Sequence, residues 1–159
     1  MVVLPAPDGP TSAISSPGSA LKPFIYGLGF EDGLVHPETL IEDRPIRYGD
    51  YAPENFDQSF QGTVTVRRAL QLSLNVPAIR LLDALGPARL AARFRQAGVT
   101  PVLPAGEKPG LAMGLGGVGL SLRDLVQLYT GLANGGFAMP LHNTVAGAEA
   151  IQIMTAPAT

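Results

Sequence analysis

The 159-residue chain has no cysteine, which excludes a disulfide framework, a thiolate nucleophile and any cysteine-ligated metal, and leaves its redox compartment unreadable. Two histidines leave little for a metal site of another kind. Charge is also sparse. Charged residues make up 15% of the chain, and 11 Lys and Arg against 13 Asp and Glu give a net charge of -2. No basic patch is present of the kind that neutralises a phosphate backbone, so nucleic acid is not an expected partner. Long hydrophobic runs are missing as well: 19 glycines and 15 prolines interrupt each apolar stretch before it reaches membrane-spanning length. No transmembrane helix is expected. The opening MVVLPAPDGPTSAISS has no basic residue and its apolar run ends at Pro5, so it lacks both parts of a secretory signal. Residues 1–15 read as a disordered lead-in.

What remains is 46% hydrophobic in a chain of single-domain size, so a packed core is expected. Leu21, Phe24, Ile25 and Leu28 recur at helical spacing, and the pattern predicts a helix from Ser19 to Asp32 with Pro23 in its first turns. Residues 34–62 have weak periodicity and read as irregular chain with room for short strands. Thr63 or Thr65 is placed to cap a helix through VRRALQLS. After a short loop at SLN, a second helix is expected to open at Pro77 in PAIRLLDALG. Pro87 opens a third, with Leu90, Ala91 and Phe94 on one face and Gly98 at its close. Ser121 and Asp124 form an S-x-x-D start for LRDLVQLYTGLANGG, which stops at Gly135. A short helix is expected around Glu149–Met154. This inventory is mainly helical, with little sheet.

Lysine occurs only at Lys22 and Lys108, against nine arginines, and Lys22 lies inside an otherwise apolar helix. Ser19 and Lys22 are i and i+3, so on a helix they share one face, close enough for an amine to take a proton from a hydroxyl. The amine must then be neutral, and burial among Leu21, Phe24 and Ile25 would favour that state. For an isolated S-x-x-K a plainer reading is the commoner one: Lys22 snorkels its amine to water and Ser19 caps the helix. A second element follows 54 residues after Ser19, at a helix–helix junction, in Ser73-Leu74-Asn75. Alone, S-x-N is weak, because Ser and Asn are common loop residues.

Together, S-x-x-K and S-x-N are the first two motifs of the penicillin-recognising serine acyltransferases and β-lactamases. Longer stretches carry the resemblance further. PGSALKPFIYG, HPETLIEDRPIRYGDYAPENFDQSFQGTVTVRRALQLSLNVPAIRLLDALG and GLGGVGLSLRDLVQLYTGLANGG resemble the transpeptidase domain of class A penicillin-binding proteins, most of all the 1C type. The resemblance covers about residues 16–137. It implies an α+β fold of the penicillin-binding transpeptidase/β-lactamase kind, here mainly its helical part with the central sheet incomplete, over residues 16–159.

The resemblance also implies roles. Ser19 would be the nucleophile that attacks the penultimate D-Ala carbonyl of a peptidoglycan stem peptide, Lys22 its base, and Ser73 the proton relay to the leaving amine. Asn75 would hold Lys22 and the substrate amide. The implied activity is a peptidoglycan D,D-transpeptidase that forms cell-wall cross-links and is acylated by β-lactam antibiotics. No metal or cofactor is implied. The implied location is the periplasmic face of the cytoplasmic membrane, with the parent protein membrane-anchored. The family's third motif, K-T-G, is not in this sequence; Lys108-Pro109-Gly110 precedes the LANGG helix, on the wrong side of it for the family order. In the family that strand contributes one of two oxyanion-hole N–H donors, the other coming from Ser19, and loss of one donor costs about a hundred- to a thousandfold in kcat. The expectation is therefore a truncated fragment of a larger enzyme. A non-catalytic remnant or binding module is the alternative. A β-lactamase-type serine hydrolase shares both motifs, but the longer stretches resemble synthases.

Other features are set aside. Gly114, Gly116 and Gly119 spell G-x-G-x-x-G without a strand just before it or an acidic residue about 20 positions later, since no Asp or Glu occurs between Asp124 and Glu149, and read as tight turns or close packing. His36 and His142 read as surface residues. Asp43, Asp50, Glu54 and Asp57 read as solvated turn residues, with Tyr51 and Phe56 packing their segment on the core.

Overall fold

A computed structural model describes residues 13–138, Leu141 and the pair Ile151–Gln152. The centre of the molecule is helix α1 (Lys22–Glu31), entered through a 3-10 turn at Gly18–Leu21. Its sequence KPFIYGLGFE is apolar almost all round, and such a helix can only be stable inside. Lys22, Phe24, Ile25, Tyr26, Leu28 and Gly29 are all buried. Around α1 pack α2 (Val66–Gln71), α3 (Asn75–Leu85) and α4 (Pro87–Gln96). The α1–α3 contact is close because residue 29 is glycine: a Cβ there would lie 2.9 Å from Leu81 Cδ2 and 3.0 Å from Val35 Cγ2. Phe24 meets the edge of Phe94 from α4 at 5.6 Å and of Tyr129 at 5.3 Å, both close to perpendicular, the favoured arrangement for ring quadrupoles.

Strands are short and paired two by two among the described residues. Chain-order strands β1 (Ile14–Ser15) and β4 (Leu120–Ser121) are antiparallel, as are β2 (Leu40–Asp43) with β3 (Gly62–Thr65) and β5 (Phe137–Ala138) with β6 (Ile151–Gln152). Helix α5 (Leu122–Ala133) follows β4 directly. The class is α+β with the helices dominant and no broad sheet among the described residues. Within those residues no helix is long and apolar enough to cross a membrane.

Most boundaries follow the local chemistry. Thr65 caps α2 by accepting from the Arg68 N–H, Pro87 opens α4, and Ser121 with Asp124 makes a capping box at the start of α5. Five expectations change. Helix α3 begins at Asn75 rather than Pro77, because its first N–H finds an acceptor outside the local sequence. Ile151–Gln152 are extended rather than helical: pairing with Phe137–Ala138 decides so short an element, and its flanking residues lie outside the described ones. The expected lead-in lies outside them up to residue 12; Ile14–Ser15 pair with Leu120–Ser121. Asp43 is not a solvated turn residue but is fully buried at the end of β2, whereas Asp50, Glu54 and Asp57 are exposed. Tyr51 packs on the core as expected, but Phe56 is fully exposed. The segment is anchored instead by its neighbour Asn55, whose buried amide turns the next side chain outward.

Candidate active site

Lys22 stands at the join of the 3-10 turn and α1, one helical turn after Ser19, and its side chain is 1% exposed. Snorkelling is therefore excluded. Nor does Ser19 cap the helix, since the residue before the turn is Pro17 and no side-chain cap is made there. Instead the amine runs inward to a cage of oxygens. Lys22 Nζ lies within hydrogen-bond distance of four oxygens, one more than its three N–H groups can serve at once: Ser19 Oγ at 3.1 Å, Ser73 Oγ at 3.0 Å, Asn75 Oδ1 at 2.6 Å and the Ser73 carbonyl. Burial pushes the Lys22 ammonium down from 10.5 to about 8, because the charged form loses its water. Ser19 and Ser73 are exposed. Two accessible hydroxyls thus lie over a buried amine.

The S-x-N loop owes this geometry to an unusual backbone. Ser73 has φ +53, a left-handed conformation that a side chain adopts only when its surroundings enforce it. The Ser73 N–H donates to Leu70 O at 3.0 Å and the Leu74 N–H to Ala69 O at 2.9 Å, closing the end of α2 and turning both Ser73 oxygens towards Lys22. Asn75 is fixed three ways. Its Oδ1 accepts from Lys22, its Nδ2 donates to Glu54 O at 2.6 Å, and its backbone N–H donates to Asn55 Oδ1 at 2.7 Å. Asn55 Nδ2 in turn donates to both Asp43 oxygens, at 2.8 and 2.9 Å, and to Ser59 O at 2.8 Å, while the Gln61 N–H donates to Asp43 Oδ2 at 2.7 Å.

The Ser19 side of the cage has its own tethers. Tyr129 Oη donates to the Ala20 carbonyl at 2.9 Å, and Ser16 Oγ to the Gly116 carbonyl at 2.7 Å. All four residues singled out from the sequence, Ser19, Lys22, Ser73 and Asn75, meet in one place. His36 and Lys108 are exposed, and His142 lies outside the described residues. The glycines of G-x-G-x-x-G serve packing and a turn: a Cβ on Gly114 would sit 2.8 Å from Leu82 Cδ2, and Gly116 has φ +95. Asn55 has no signal in the sequence, and Asp43 reads there only as a solvated turn residue. Their partnership spans twelve residues of weak periodicity and forms only when β2 pairs with β3, Asp43 facing Gly62.

Comparison with known proteins identifies the family of the chain. The family model described as the penicillin binding protein transpeptidase domain matches residues 7–152. Penicillin-binding protein 1C of Escherichia coli (strain K12) is 48% identical over 127 residues, which is 80% of this chain and 16% of that protein. Penicillin-binding protein 1F of Bacillus subtilis (strain 168) is 33% identical over 133 residues, 81% of this chain and 18% of its own length. The chain thus spans a minor part of these relatives. Among solved structures, the penicillin-binding protein PonA1 from Mycobacterium tuberculosis superposes with a TM-score of 0.78 at 22% identity, covering 91% of this chain and 44% of that one. The transpeptidase domain of penicillin-binding protein 3 from Burkholderia pseudomallei gives 0.73 at 23% identity, covering 91% and 50%. At such identities the structural likeness speaks for the fold. The family model, which runs through both serine motifs and nearly every element described above, settles the assignment: the chain belongs to the penicillin-binding protein transpeptidase domain family.

Proposed function

We propose that this chain carries the acylation machinery of a peptidoglycan D,D-transpeptidase, with Ser19 as nucleophile, Lys22 as base, Ser73 as proton relay and Asn75 as the group that orients Lys22 and the substrate amide. One observation supports this above others: the buried Lys22 amine, lowered to about 8, within hydrogen-bond distance of Ser19 Oγ and Ser73 Oγ. At about pH 7 such an amine is neutral in roughly one molecule in ten, some 300-fold more often than an ordinary lysine. A neutral amine has two N–H donors and one lone pair. Asn75 Oδ1 and the Ser73 carbonyl take the donors, which leaves the lone pair for the Ser19 hydroxyl.

In the proposed step, the Ser19 proton passes to Lys22 as Ser19 Oγ bonds to the penultimate D-Ala carbonyl carbon. The oxyanion forms near the N-terminus of the continuous helix that begins at Gly18, where leading N–H groups lack intrahelical acceptors and the helix dipole favours negative charge. The proton then moves through Ser73 to the departing nitrogen, the carbon–nitrogen bond breaks, and terminal D-Ala leaves an acyl-Ser19 ester. An amine from a second stem peptide attacks that ester, restores the Ser19 hydroxyl and yields the cross-link. A β-lactam enters by the same first step, but its leaving nitrogen stays tethered, so acylation persists. Such substrates place the reaction on the outer face of the cytoplasmic membrane. Incubation of the chain with a fluorescent penicillin, read by intact mass, should give one adduct that is absent in Ser19→Ala. Equal labelling of Ser19→Ala would remove Ser19 as the nucleophile, and a folded chain that takes no label would refute the activity.

A further inference from the structure

We propose that Asn55, held by the buried Asp43 carboxylate, is a positioning residue for the S-x-N motif: it receives the first N–H of α3 and thereby fixes Asn75, Ser73 and, through them, the Lys22 amine. This rests on the reading of Ser19 and Lys22 as nucleophile and base. Three observations support it. First, α3 makes no side-chain cap of its own; Leu74 stands at the cap position, and the Asn75 N–H goes to Asn55 Oδ1, a residue 20 positions earlier. A helix whose leading N–H is otherwise orphaned needs such an acceptor.

Second, the direction of each hydrogen bond is decided from one end. A carboxylate only accepts, so Asp43 turns the Asn55 NH2 towards itself and leaves Oδ1 for Asn75. The Glu54 carbonyl likewise takes the Asn75 NH2, so the Asn75 Oδ1 faces Lys22. Both amides have a single orientation that satisfies their partners. Asp43 is fully buried and Asn55 is 4% exposed, where an unmatched polar atom is expensive and the alternative orientation is penalised. Third, the residue this chain of bonds restrains is strained. Ser73 at φ +53 would relax if the start of α3 were free to unwind, and its carbonyl and hydroxyl would leave Lys22.

The test exchanges the polarity of the pair. In Asn55→Asp alone, two carboxylates face each other and the NH2 that Asp43 requires is gone. In the double variant Asp43→Asn with Asn55→Asp, the carboxylate at 55 accepts from the Asn75 N–H and from the new amide at 43. The carbonyl of that amide still accepts from Gln61, but its second N–H gains no acceptor in this network and the Ser59 carbonyl meets a carboxylate oxygen in place of a donor; Ser59 is exposed, so water can bridge the two, and the exchange restores the Asn75 bond at some cost. Two readouts apply: amide hydrogen exchange at Asn75, and the second-order rate of acylation by a fluorescent penicillin.

In the wild-type chain the Asn75 amide should be protected although it is the first N–H of a helix. Asn55→Ala should speed its exchange about tenfold or more, the value of one hydrogen bond, and slow acylation about ten- to a hundredfold through misplacement. Asn55→Asp should behave similarly, and the double variant should recover part of both, because the acceptor for the Asn75 N–H is restored. An unprotected Asn75 amide in the folded wild-type chain would overturn the proposal. So would wild-type acylation by a folded Asn55→Ala, or a double variant no better than Asn55→Asp. If Asn55→Ala does not fold, the last comparison decides. If the wild-type chain takes no label, the proposed activity fails, and Asn75 exchange alone still decides the positioning role.

Discussion

Raising the pH from about 6 to about 9.5 perturbs the buried amine at the centre of the site and should be visible in two ways with opposite origins. In the proposed reaction Lys22 works as the neutral amine, and its midpoint is about 8, so acylation should rise about tenfold per pH unit below that value and level off above it. An ordinary lysine would keep the rate rising to about 10.5. Stability responds to the same group. The folded midpoint of about 8 lies below the unfolded value of 10.5, so between the two the unfolded chain binds more protons and stability increases with pH. The slope approaches about 1.4 kcal/mol per pH unit, and the gain from about pH 7 to about 9.5 is about 2 kcal/mol. Tyr26, Tyr48, Tyr51 and Tyr129 bound the window from above: burial raises their hydroxyls, and a raised tyrosine loses stability once the pH passes its ordinary value of 10.0. Stopped-flow acylation and urea unfolding across the series measure both effects, with Lys22→Met as the control that should neither acylate nor gain stability in this window. A rate that is flat from about pH 6 to 8, or a wild-type stability profile no different from that of Lys22→Met, would refute the buried-amine account.

Two further substitutions probe the frame around the site. Gly116→Ala would place a Cβ 2.6 Å from Gly18 N and 2.8 Å from Gly18 Cα, at φ +95. It should destabilise the chain by about 1–3 kcal/mol and slow acylation, since the displaced backbone is one residue from Ser19; thermal unfolding and labelling rate measure the two effects. Ser121→Ala removes one arm of the α5 capping box and should cost about 1 kcal/mol in urea unfolding, with labelling at saturating penicillin unchanged.

Local chemistry was enough to write most of the helices. The apolar spacing of Leu21, Phe24, Ile25 and Leu28, the caps at Thr65 and Ser121, and Pro87 at the head of α4 act within one or two turns, so the sequence alone determined them. The S-x-x-K spacing likewise put Ser19 and Lys22 on one face, and the family's longer stretches pointed to Ser73 and Asn75. Tertiary structure decided the rest. Whether Lys22 snorkels or is buried depends on what covers α1, and that is α2, α3 and α4 folded around it. The start of α3, the burial of Asp43 and the outward turn of Phe56 all follow from bonds that Asn55 makes to residues 12 and 20 positions away. Hydrogen bonds across such distances leave no periodicity in the chain, because a lone carboxylate and a lone amide look the same in sequence whether they meet water or each other.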